Sequence, residues 1–157
     1  MRLTFAIGVA ASLACQPQSN QRVADSAPAS ADTLRGILVL TGSDPYPIAA
    51  VRTSSGRVML DGASSRLLKL TGLEMWLRGS RTAEDRFRVD DYRVRAANGD
   101  KAWDGTLRRG ATGLELQLED GTIHPVRGGP SGFGNLAGSR VWLTENPDGT
   151  IREYGVF

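Results

Sequence analysis

The sequence has little of several residue types on which chemistry depends. Cys15 is the only cysteine and His124 the only histidine in 157 residues. One cysteine excludes a disulfide framework, and without a second histidine or a thiol in the folded region no Cys/His zinc site can be assembled. Lysine is scarce too: Lys69 and Lys101 stand against 17 arginines. Those arginines are scattered along expected strands beside acids, and not gathered into the block that a phosphate-binding stripe requires. The formal charge is only +2. No apolar run reaches the roughly 20 residues needed to span a bilayer.

What is present begins with a short uncharged run, Leu3 to Ala14, that follows Arg2 and ends at Cys15. Its length fits the apolar core of an export signal. The letters "SLAC" resemble a bacterial lipobox, in which a small residue precedes a cysteine that is lipidated and becomes the mature N-terminus. Ser12 stands where that pattern has an aliphatic residue. Ser12 and Ala14 also satisfy the small-x-small rule of ordinary signal cleavage, so an anchored and a secreted soluble product both remain open. Residues 16–33, "QPQSNQRVADSAPASADT", have too few large apolar side chains to offset their ordering entropy and read as a disordered tether.

The folded sequence is then expected in two copies, 34–96 and 97–157. Gly62 and Gly72 are spaced as Gly128 and Gly138 are, and each second glycine leads into x-x-x-Trp-Leu. Each copy closes on matching letters, "VDDYRV" at 89–94 and "IREYGV" at 151–156. Along each closing segment the apolar face switches within the strand, so a β-bulge is expected at the same place in both. One copy reads as five short strands, with a short helix over "SSRLLKLTG" between the third and fourth. In the second copy "GPSGFGNLAG" carries too much Gly and Pro for more than a loop or single turn. The fold class is therefore all-β: two tandem five-stranded, OB-like small barrels, since five strands with a helical connection before the fourth is the OB layout.

With "TGSDPYP" at 41–47 before the second strand, the chain resembles the tandem OB-fold-like exported lipoproteins of bacteria, most of them uncharacterised. The resemblance implies a fold and an envelope location and transfers no catalytic residue.

Within the fourth strands Leu73, Met75 and Leu77, and Val141 and Leu143, alternate onto a core face. Trp76 and Trp142 fall on the opposite face, where each is expected to pack under a connection or against the other barrel, or else to form binding surface. His124 occupies what reads as a pleat position equivalent to Met59. The string "GFGNLA" lacks the strand and long helix of a dinucleotide site. The Asp-Gly pairs at Asp61, Asp104, Asp120 and Asp148 read as tight turns without calcium-loop spacing. Adjacent Asp90 and Asp91 point to opposite faces of a strand unless the expected bulge rotates them, and on this pattern form no glycosidase pair. An OB barrel would bind on its second and third strands, which supply Arg52 and Arg57 and no ring; Tyr46, in the preceding loop, is the nearest aromatic.

The resulting expectation is a non-enzymatic exported protein, anchored through lipid on Cys15. It would bind an unidentified protein or envelope component through Trp76, Trp142, Tyr46, Arg52 or Arg57, with no metal, no cofactor and no nucleic acid. The alternative is a periplasmic enzyme or enzyme subunit with a cleft between barrels holding Asp91, Glu153 and Arg93.

Overall fold

The computed structural model describes residues 31–43 and 47–157. Cys15, the export signal, nearly all of the tether and Tyr46 lie outside the described residues. The fold is all-β, and the described residues form ten strands in two consecutive groups of five. The first group is β1 (Asp32–Thr41), β2 (Ile48–Thr53), β3 (Gly56–Asp61), β4 (Glu74–Ala83) and β5 (Arg86–Ala97). The second is β6 (Asp100–Arg109), β7 (Leu114–Leu118), β8 (Ile123–Pro125), β9 (Arg140–Glu145) and β10 (Ile151–Val156). Between β3 and β4 sits one turn of helix, α1 (Ser65–Leu68), capped by the Ser64 hydroxyl accepting from the Leu67 N–H. Its counterpart in the second unit is a 3-10 turn at Phe133–Leu136, the reduced connection expected from the glycines there.

The pairings of the two units correspond strand by strand. In the first, β1 pairs with β2 and β4, β2 with β3, and β4 with β5, all antiparallel, and a parallel β3–β5 ladder closes the ring. In the second, β6 pairs with β7 and β9, β7 with β8, and β9 with β10. There the closure has shrunk to one parallel bridge, Arg127 to Thr150. That bridge is the equivalent of Asp61 to Arg88 in the first unit.

Registers agree to the residue. Gly36 faces Met75 as Gly105 faces Val141, and Leu77 faces Tyr92 as Leu143 faces Tyr154. Gly72 N–H donates to Leu38 O and Gly138 N–H to Leu107 O, both at 2.8 Å. Both glycines sit at positive φ, 93° and 94°, where a side chain would be strained. The bulge falls in the same place too: the register slips by one residue between Arg78 and Gly79 opposite Asp91 and Val89, and likewise between Ile151 and Glu153 opposite Glu145 and Thr144.

Each unit keeps its own apolar interior. Leu34, Leu38, Val51, Leu60, Met75, Leu77, Phe87 and Val94 fill the first. Leu107, Leu116, Phe133, Val141 and Leu143 fill the second. The exception is Trp142, which together with Ala102 belongs to the first unit's cluster although its strand belongs to the second. Units of about 60 residues bury too little surface to be robust alone, and this indole ties the two together.

Two expectations are corrected here. His124 pairs with Leu116 as Val58 pairs with Val51, so it stands at the core-facing Val58 position and not at that of Met59. Asp104-Gly105 is no turn but the middle of β6. Gly105 is glycine there because a Cβ would lie 2.4 Å from the Gln117 carbonyl oxygen, as one on Gly36 would lie 2.3 Å from that of Arg52.

Candidate functional site

The outer face of β1, β4 and β5 carries a cross-strand row, Arg35–Trp76–Arg93. The equivalent row on the second unit is Asp104–Trp142–Gly155. The two tryptophans are the same residue at the same register and have opposite fates. Trp142 is 6% exposed. Gly155 permits this, because a Cβ there would come within 2.5 Å of the indole Nε1. At the first unit's equivalent position stands Arg93, whose guanidinium lies over the Trp76 ring at 5.6 Å from the centroid. Trp76 is only half-buried, and with Arg35, Arg93, Arg95 and Glu119 it lines a groove of about 270 Å³.

Between the units lies a denser polar network. Arg140 on β9 forks onto Asp104 on β6, with Nε to Oδ1 at 2.9 Å and Nη2 to Oδ2 at 3.0 Å. This pair also satisfies the backbone edge of β5: Asp104 Oδ2 accepts from the Val94 N–H at 2.9 Å, and Arg140 Nη2 donates to the Tyr92 carbonyl. An edge strand's unpaired groups are thereby matched in the way a neighbouring strand would match them. The Arg140 guanidinium further stacks over Phe157 at 4.3 Å. Burial pushes the Asp104 carboxyl up from its ordinary value against the pull of Arg140. For Arg140, burial acts to lower the value, and the hydrogen bonds and charge of Asp104 overcome it, leaving it raised.

Beside this pair, Arg93 contacts Asp91 at 3.3 Å and also pairs with Glu119. Arg93 Nε is buried without a partner among the described residues. Asp91, Arg93, Asp104, Gln117, Glu119 and Arg140 line a second groove of about 450 Å³.

Of the residues expected to form a cleft, Asp91 and Arg93 do converge there. Glu153 does not line it and instead accepts from Asn98 at 3.1 Å. Arg52 and Arg57 face each other across β2 and β3, exposed, one strand beyond β1 from the Trp76 row.

His124, Trp103 and Glu145 form a cluster that sequence reasoning missed. His124 Nε2 lies 2.9 Å from Glu145 Oε1, and the Trp103 indole N–H donates to Glu145 Oε2 at 3.0 Å. The imidazole stacks on the indole at 4.0 Å between centroids, and the Lys101 ammonium lies 3.6 Å from the same ring's centroid. These three side chains stand where the first unit has Leu34, Val58 and Gly79. An apolar layer has been exchanged for a satisfied polar one, which is the structural role of this cluster. The signal that finds it is the alignment of the two copies, which sets Trp103 on Leu34 and Glu145 on Gly79.

Comparison with known proteins adds nothing to this geometry: no protein family, curated protein or solved structure matches the chain.

Proposed function

We propose that this chain is an exported, lipid-anchored, non-enzymatic binding or scaffold protein of the bacterial cell envelope. It is built from two OB-like barrels, with the Trp76 face as its binding surface. The observation that carries this reading is the divergence of two equivalent tryptophans. The second unit spends its indole on docking to the first, while the first unit's indole is left half-buried and framed by Arg35, Arg93 and Arg95. Aromatic and arginine side chains are the residues that most often carry interface energy. The carboxylates nearby support binding more than acid–base chemistry, because Asp91 and Asp104 are each held by arginines. The enzymatic alternative would have to use that same inter-unit groove without Glu153.

Two results test the reading. Trp76→Ala and Arg35→Glu should leave the melting temperature within a few degrees of wild type, since a half-buried ring contributes roughly 1 kcal/mol of burial. Both should abolish in-cell cross-linking of the protein to its envelope partner. Retained cross-linking in both variants would remove the Trp76 face from consideration.

The anchor rests on Cys15 at the end of the uncharged run. Several acyl chains on one lipoprotein cysteine make attachment stable where a single chain does not. Cys15→Ser should therefore move the protein to the soluble fraction or leave it unprocessed. Release of wild-type protein by a salt wash alone would show that no lipid holds it.

A further inference from the structure

We propose that the groove beside Trp76 is a carboxylate site, and that its ligand is an acidic glycan whose uronate groups take the place held in this structure by Glu119. This deepens the reading of the Trp76 face as a binding surface and rests on it.

The site is built from cations with few partners. Arg35 on β1 and Arg93 and Arg95 on β5 converge on one groove, and Glu119 is the one carboxylate lining it among the described residues. The ion pairs formed there are those of Arg93. The exposed guanidiniums of Arg35 and Arg95 are thus left without an acid among the described residues. Like charges lining one groove raise the local potential and draw in an anion.

Arg93 is the anchored member of the three. Its Nη2 donates to Asp91 at 3.3 Å, and its guanidinium lies over the Trp76 ring. A planar guanidinium fixed in this way presents Nη1 with little further ordering cost, in the geometry that suits a carboxylate. Nη1 carries Glu119. That acid is the exchangeable one: its side chain is 57% exposed, and the turn that bears it is closed by backbone bonds, Leu118 N–H to Thr122 O at 2.9 Å and Gly121 N–H to Leu118 O at 3.1 Å. An ion pair so exposed contributes little, so an incoming carboxylate displaces it at small cost. Glu119 marks the place of a ligand's carboxylate.

The walls favour a glycan over a protein. Arg93 lies over the Trp76 ring, while His124 and Lys101 lie against that of Trp103. The rings here back cations and are not open anchors for the apolar side chains that carry most protein interfaces. A uronate sugar needs no such anchor, because it offers a carboxylate and hydroxyls. The groove also continues: an adjoining one of about 330 Å³ shares Arg93, Arg95 and Glu119 and adds Lys101. A further cation along the path suits a polymer with carboxylates at intervals, since each unit after the first binds at high effective concentration. The site lies on the outer face of β1, β4 and β5, apart from the second and third strands on which an OB barrel ordinarily binds.

The test is calorimetric titration of the full chain, in nonionic detergent, with hexagalacturonate. Wild-type protein should bind it, more weakly as salt is raised, and should not bind a neutral hexasaccharide. Arg95→Glu alters an exposed residue and should weaken binding by about tenfold or more. Glu119→Gln removes the competing carboxylate and should tighten binding by about threefold or more. Asp90→Asn removes the same charge from an exposed residue that does not line the groove, and should leave affinity within about twofold of wild type.

No binding of hexagalacturonate by either wild type or Glu119→Gln overturns the proposal. Equal gains from Glu119→Gln and Asp90→Asn also overturn it, because net charge alone would then be at work. Tighter binding of inorganic tripolyphosphate than of hexagalacturonate overturns the assignment to a carboxylate. Failure here with partner cross-linking still dependent on Trp76 would leave the binding surface in place with a different occupant. Failure of both removes the surface itself.

Discussion

Trp142→Ala is expected to destabilise the folded chain by about 3–5 kcal/mol, the range for truncating a buried tryptophan, and to lower its melting temperature by about 10–20 °C. The ring is 6% exposed and packs with residues of the other unit, so its loss leaves a cavity at the junction. Because each unit is marginal alone, the two are expected to melt together in wild type and to separate into two broader transitions in the variant. Calorimetry checks both points. A melting temperature within about 2 °C of wild type would mean that the junction is held by something other than this side chain.

The second large effect belongs to the Asp104–Arg140 pair, and it is asymmetric. Asp104 is the buried partner, with a side chain 5% exposed, whereas Arg140 is 36% exposed. Arg140→Ala leaves a desolvated carboxylate with the Val94 N–H as its remaining hydrogen bond and the Arg93 charge nearby. That should cost about 2–3 kcal/mol at neutral pH, below the range for fully buried pairs because the guanidinium is partly solvated. Asp104→Ala returns a half-solvated guanidinium to water and should cost less.

The pH dependence follows from the raised Asp104 value. Its native state holds the proton more tightly than the unfolded chain does. The stability from this group is therefore fully present below the ordinary carboxylate range and is lost as pH rises through the native value. Arg140→Ala should accordingly be least damaging in acid and most damaging at neutral pH, as read from melting temperature against pH. A penalty independent of pH would show that the carboxylate is not the source of the cost.

Much of this architecture is legible in the letters, because duplication writes every constraint twice. The Gly-x-x-x-Trp-Leu segments mark equivalent fourth strands, and the phase slip in "VDDYRV" and "IREYGV" places the bulge where the register does shift. The reduction of α1 to a 3-10 turn follows from Gly132, Gly134 and Pro130. What is not legible depends on partners distant in sequence. The pairing of Asp104 with Arg140 spans 36 residues, and that of Trp103 with Glu145 spans 42. Asp104-Gly105 looks like a turn until Gly105 is set on Gly36. The separate fates of Trp76 and Trp142 are hidden for a related reason. The tryptophans match, and the difference lies in the residue across the ladder, Arg93 in one unit and Gly155 in the other.

The division of labour between those two tryptophans is the centre of the account, and fluorine NMR of protein labelled with 5-fluorotryptophan tests it most directly. Three resonances are expected, for Trp76, Trp103 and Trp142, each assigned by substitution. On addition of a soluble paramagnetic agent the Trp76 line should broaden strongly while the Trp142 line stays sharp. Equal protection of both, or broadening of Trp142 first, would contradict the claim that one face docks the units and its twin is left open to a partner.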